Sequence, residues 1–100
     1  MYIEKTTFYN FLKKSIMEIN EGLRSEILKI IENQLITDNP VETKKTYTRL
    51  LSLGHSNFEA KQLIGQCIIV EIFDVLKHQK TFDESRYIKN LKQLPKEPFE

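Results

Sequence analysis

One hundred residues, 40% hydrophobic and 29% charged, make a single-domain length with the composition of a folded globular chain, which excludes a disordered one. Fifteen basic and 14 acidic residues leave a formal charge of +1, and the halves balance separately, with 8 basic and 7 acidic in residues 1–50 and 7 of each in 51–100. The strong positive footprint of a nucleic-acid or anionic-lipid binder is therefore missing, and the single Cys67 excludes an intrachain disulfide and a Cys-rich zinc site.

Met1 to Thr7 shows neither a basic leader nor an apolar h-region, so no secretion signal is expected. The longest apolar run, Cys67 to Val70, is far too short for a membrane span. One lone cysteine fits a reducing compartment, and the expected location is cytoplasmic. Three glycines and three prolines are few turn signals, which points to a small number of long helices.

From an N-cap at Thr6 or Thr7, Phe8, Leu12, Ile16 and Ile19 recur at helical spacing. Gly22 then either caps this helix or sits inside a longer, kinked one; two helices meeting near Gly22 are preferred. The stripe resumes at Leu23, Ile27, Ile30 or Ile31, and Leu35, and Thr37 to Pro40 ends it. The next helix is expected to start with Asn39 as N-cap and Pro40 at its first position. Val41, Tyr47, Leu50, Leu51 and Leu53 are its apolar positions, Lys44, Lys45 and Arg49 its solvated ones, and Gly54 stops it.

After the short link His55–Ser56, a capping box of Ser56 and Glu59 opens the longest helix, about 57–78. It is apolar on most of its circumference, broken only by Glu71 and Asp74, so neighbours must cover it on several sides. Phe82 and Tyr87 then bracket an N-cap, Asp83, with the spacing of a hydrophobic staple. Tyr87, Ile88, Leu91 and Leu94 form the last apolar side, and Pro95 ends it. The expectation is all-α: one domain, residues 1–95, a compact bundle of four to five helices around a central buried helix, with a flexible tail at 96–100.

Few residues suggest chemistry. Glu71, Asp74 and His78 share one stripe of the central helix, as partial ligands for Zn, Fe or Mn or as its solvent-facing edge; the edge is preferred, because the Glu-x-x-His pairs of helical di-metal proteins are absent. Cys67 has no basic neighbour in sequence and is expected to be buried and inert. Two histidines, neither beside a serine, give no support to a hydrolase triad, and no phosphate-binding glycine loop exists. A helix-turn-helix reading would place Asn57, Lys61 and Gln62 in a major groove, but the balanced charge argues against it.

The spacing of Leu50, Leu53, Gly54, Glu59, Ala60, Ile64, Cys67, Phe73, Phe82 to Glu84, Tyr87 and Leu91 resembles small bacterial all-helical proteins of unassigned activity, over residues 40–95. Some of those carry histidines where this chain has Phe58 and Gln62, so a metal role implied there does not carry over. Leu50 to Ala60 also looks like the first hinge of a ubiquitin-associated domain, although the following helix is too long for that three-helix fold. Neither resemblance implies an activity or a cofactor.

The expected function is thus non-catalytic: a protein-interaction or self-assembly module, with a homo-oligomer or another protein as partner. The stripe Phe8, Leu12, Ile16 and Ile19, and that of residues 23–35, offer a dimer surface, and Gly54–His55 a hinge. The alternatives are a small metal-binding protein or enzyme using Glu71, Asp74 and His78, and a helix-turn-helix-like DNA-binding protein.

Overall fold

The computed structural model describes residues 21–96, which form four helices: α1 (Glu21–Thr37), α2 (Val41–Ser52), α3 (Asn57–His78) and α4 (Glu84–Gln93). No strand occurs among the described residues. The expected stripe at Phe8, Leu12, Ile16 and Ile19 and the expected tail beyond Lys96 lie outside them. α3 packs against each of the other three helices, α1 and α4 each pack against α2, and the core lies between them.

Helix α1 contains Gly22, so the chain is already helical there. Its apolar stripe turns inward: Ile27 and Ile31 are buried, and Leu23 and Leu35 pack against the same core. That stripe is consumed by the fold and is not the dimer surface expected from the sequence; Ile30 and Ile36 point outward instead. The helix closes on Asp38, which takes a left-handed φ of 54°, while the Asn39 N–H donates to the Gln34 carbonyl at 3.2 Å. Since Asn39 is spent on that closure, it does not cap α2. Pro40, with an extended backbone, holds the N-cap position instead, one residue later than expected, and no side chain caps the helix.

α2 departs most from its expected pattern. Its inward positions are Thr43, Thr46 and Leu50, whereas Val41, Leu51 and Leu53 face solvent. Thr43 can be inward because polar partners meet it. The Thr43 hydroxyl donates to Gln34 Oε1 of α1 at 2.7 Å, and the buried Tyr87 hydroxyl of α4 donates to the same oxygen at 2.8 Å. One amide oxygen thus joins three helices. Arg49, expected in solvent, is half-buried and donates to the carbonyls of Leu94 (2.5 Å) and Leu91 (2.9 Å), satisfying the free C-terminal end of α4.

Between α2 and α3, Gly54 N–H donates to Leu51 O and His55 N–H to Leu50 O, the paired bonds of a Schellman ending, with Gly54 at φ 101°. Ser56 then caps α3 as expected: its hydroxyl accepts from the Glu59 N–H at 3.1 Å, and its own N–H donates to Glu59 Oε1 at 3.0 Å. Buried along α3 are Ala60, Ile64, Gly65, Cys67, Ile68, Ile69 and Glu71. Gly65 lets α1 approach closely, because a Cβ there would stand 3.3 Å from Ile27 Cγ2. At α4 the staple forms, with the Phe82 and Tyr87 rings edge-to-face at 5.4 Å, and Asp83 accepts from the Arg86 N–H at 3.0 Å. Tyr87, Leu91 and Leu94 complete the core.

Candidate functional site

Glu71, Asp74 and His78 do come together, but around a residue that sequence reasoning overlooked. Arg86, one turn into α4, donates through Nε to Glu71 Oε2 at 2.5 Å and through Nη2 to Glu71 Oε1 at 2.9 Å. The same Nη2 reaches Asp74 Oδ2 at 2.9 Å, and the other Asp74 oxygen lies 2.7 Å from His78 Nδ1. Glu71 Oε1 also accepts the backbone N–H of Asp83 at 3.1 Å. Glu71 is therefore filled by donors from the next helix and its cap, and Asp74 is shared between Arg86 and His78 of its own helix.

Burial corrects the expectation of a solvent-facing edge. Glu71 is fully buried and only His78 is well exposed. A carboxylate on an apolar stretch of α3 is tolerable because a planar guanidinium meets it bidentately. The ion pairs also set the charges. The hydrogen bond from His78, and then that from Arg86, hold the Asp74 carboxyl below the usual aspartate range. Hydrogen bonds to Glu71 and Asp74 push Arg86 further into its protonated form.

Such an arrangement fixes the geometry of α4 against α3. Arg86 holds both Glu71 oxygens and one of Asp74, and no cluster of three or more His, Cys, Asp or Glu suited to an ion occurs among the described residues. The expected partial ligand set is thus a clasp that locks α4 and its preceding loop onto α3. Asp83-x-x-Arg86 was the available signal. Two carboxylates on an otherwise apolar helix require a countercharge, and Arg86 is the cation that its own cap aims back at α3.

Other candidates are occupied in the same way. Cys67 is buried in the core, and desolvation, with Glu71 nearby, pushes its thiol up to about 12. A thiol held neutral is no nucleophile. Of the residues a recognition helix would use, Asn57 accepts from the Tyr47 hydroxyl at 2.8 Å and Lys61 is paired with Glu32. Two of the three side chains at the start of α3 thus hold neighbouring helices, Asn57 holding α2 and Lys61 holding α1. Gly54 is exposed and His55 half-buried at the hinge, with their N–H groups used in the α2 ending.

Charge is distributed in a way that the balanced halves of the sequence conceal. α2 carries Lys44, Lys45 and Arg49 against Glu42, and residues 84–96 carry four cations against Glu84. α1 and α3 each hold two cations and three carboxylates. Each half of the sequence pairs a basic element with an acidic one, so the sums cancel along the chain. Folding brings the two basic elements into contact, because α2 and α4 pack together through Arg49. No family model matches the chain, and neither the curated proteins nor the solved structures give a match to it.

Proposed function

We propose that this protein is a non-catalytic interaction module: a bundle of four to five helices arranged around α3, working in the cytoplasm through its surface, with another protein or a second copy of itself as partner. One observation carries the reading. Among the described residues the groups singled out for chemistry have internal partners: Glu71 and Asp74 in the Arg86 clasp, His78 through Nδ1 on Asp74, and Cys67 in the core. What remains for function is the surface, where Ile36, Leu53 and Leu76 stand 81%, 59% and 76% exposed. Large apolar side chains left in water are a common mark of a surface that meets another.

The test combines solution mass with capture. Light scattering of the full chain at micromolar concentration, together with photocrosslinking from positions 53 and 76 in an extract of the native host, is expected to show self-association or a specific protein adduct. A strictly monomeric chain without adducts would overturn the reading. Metal analysis of untagged protein addresses the alternative: stoichiometric Zn, Fe or Mn that disappears in Asp74→Ala would replace an interaction module with a metalloprotein.

A further inference from the structure

We propose that the outer side of the α2–α4 pair docks an acidic, amphipathic helical segment of a partner protein. The proposal rests on the interaction reading above and names the class of partner. Charge is its first support. Lys44, Lys45, Lys89, Lys92 and Lys96 are all exposed, and none makes a hydrogen bond or ion pair with another described residue. Elsewhere in the molecule Lys29, Lys61 and Arg86 each meet a carboxylate. Glu42, the one carboxylate of α2, is half-buried, with one oxygen sealed from solvent. Ammonium groups without a partner among the described residues are thus carried by both basic elements, α2 and the stretch 89–96.

The shape of α2 is the second support. Opposite its buried residues Thr43, Thr46 and Leu50 runs a neutral line, Val41, Thr48 and Ser52, at helical spacing. Lys44 flanks that line on one side and Lys45 on the other. A helix laid along it would meet small uncharged side chains at its centre and an ammonium at each edge, the layout of charged flanks around a packing seam in paired helices. An open groove of about 590 Å³ follows this line, bordered by Val41, Lys44, Lys45, Thr48, Arg49 and Ser52, with Asp38 before the helix start.

The chemistry of the cations favours protein over nucleic acid. Arg49, whose planar fork would read a phosphate bidentately, already holds the carbonyls that end α4. The cations of α2 and α4 without a partner among the described residues are lysines, point charges on long stems that reach single carboxylates. Val41, 43% exposed at the start of the seam, gives a partner an apolar foothold that a phosphodiester backbone has no use for.

Fluorescence anisotropy on the full chain tests this. The probe is a labelled peptide of about 18 residues with leucine and alanine along one helical face and glutamate on both flanks. Its controls are a scramble of the same composition and a labelled DNA duplex. The helical peptide is expected to bind at low salt, with both controls at least about tenfold weaker, since matched geometry adds to bare attraction. Lys44→Glu/Lys45→Glu is expected to weaken the peptide about tenfold, and Lys44→Gln/Lys45→Gln less, with unchanged thermal melts because neither lysine pairs with another described residue. Absence of peptide binding, equal binding of the scramble, tighter binding of the duplex, or indifference to the glutamate pair would each overturn the proposal. If the peptide fails while adducts still form from positions 53 and 76, this surface is wrong and the interaction reading stands; if both fail, both fall.

Discussion

Arg86 and Glu71 show how one side chain can decide the role of another. A carboxylate buried without a countercharge is untenable, so removing the guanidinium should cost more than removing both partners. Arg86→Met is expected to lower the unfolding free energy by about 2–4 kcal/mol in urea titrations, below the range of fully buried pairs because the arginine is partly exposed. The double change Glu71→Leu/Arg86→Met should recover most of that loss; if it is no better than the single change, the clasp is not what holds α4 to α3. Asp74 brings a pH dependence. Its carboxyl is depressed in the folded state by His78 and then by Arg86, so its contribution is complete above the ordinary aspartate pKa of about 3.9 and is lost as pH falls through the lower folded value. Stability should therefore drop in acid less steeply for Asp74→Asn than for the native chain. Cys67 behaves in the opposite sense. Its thiol stays protonated in the fold, and labelling by a thiol reagent at pH 8 should follow global unfolding rather than thiolate concentration; fast labelling of the native protein would contradict its burial.

Among the elements, the ends were more legible than the faces. The Ser56–Glu59 box, the Gly54 ending and the Asp83 cap are contacts within a few residues, so their chemistry is written locally and the structure has them where the sequence places them. Ser56→Ala should cost about 1 kcal/mol. Gly54→Ala should cost about 1 kcal/mol or somewhat more through backbone strain alone, because open space surrounds a Cβ there while φ is 101°. Gly65→Val should cost about 1–3 kcal/mol for a different reason, since its branches would press on the Ile27 side chain and push α1 away. Both are read as shifts in denaturation midpoint at constant slope. The faces of α2 are not written locally: Leu51 and Leu53, apolar by type, face solvent, while Thr43 and Thr46 join Leu50 inside. Thr43 is inward only because Gln34 and Tyr87, nine and 44 residues away, supply partners for its hydroxyl. Arg49 was assigned to solvent because nothing in α2 says that the carbonyls of Leu91 and Leu94 will stand above it.

At the scale of the whole molecule, Gln34 is the point where α1, α2 and α4 meet. Gln34→Ala strands two buried hydroxyls and is expected to cost about 1–3 kcal/mol, the lower figure if Thr43 and Tyr87 turn to bond each other across their 3.3 Å separation. A loss well below this would mean that the three helices are held by apolar packing alone. Charge belongs to the same scale. The sums over the sequence are neutral, yet α2 and α4 lean basic while α1 and α3 lean acidic, and only their packing turns that alternation into a side. The sequence was sufficient for the all-helical class, for the end of α1 and the bounds of α2, α3 and α4 to within a residue or so, and for the burial of Leu91 and the Cys67 thiol. These follow from periodicity and capping, which act over a turn or two of chain. The clasp of Glu71 by Arg86, the inward threonines, the arginine that closes α4 and the gathering of unpaired lysines follow from contacts between helices. A side chain's partner across such a contact is fixed by the packing, and no spacing within one helix records it.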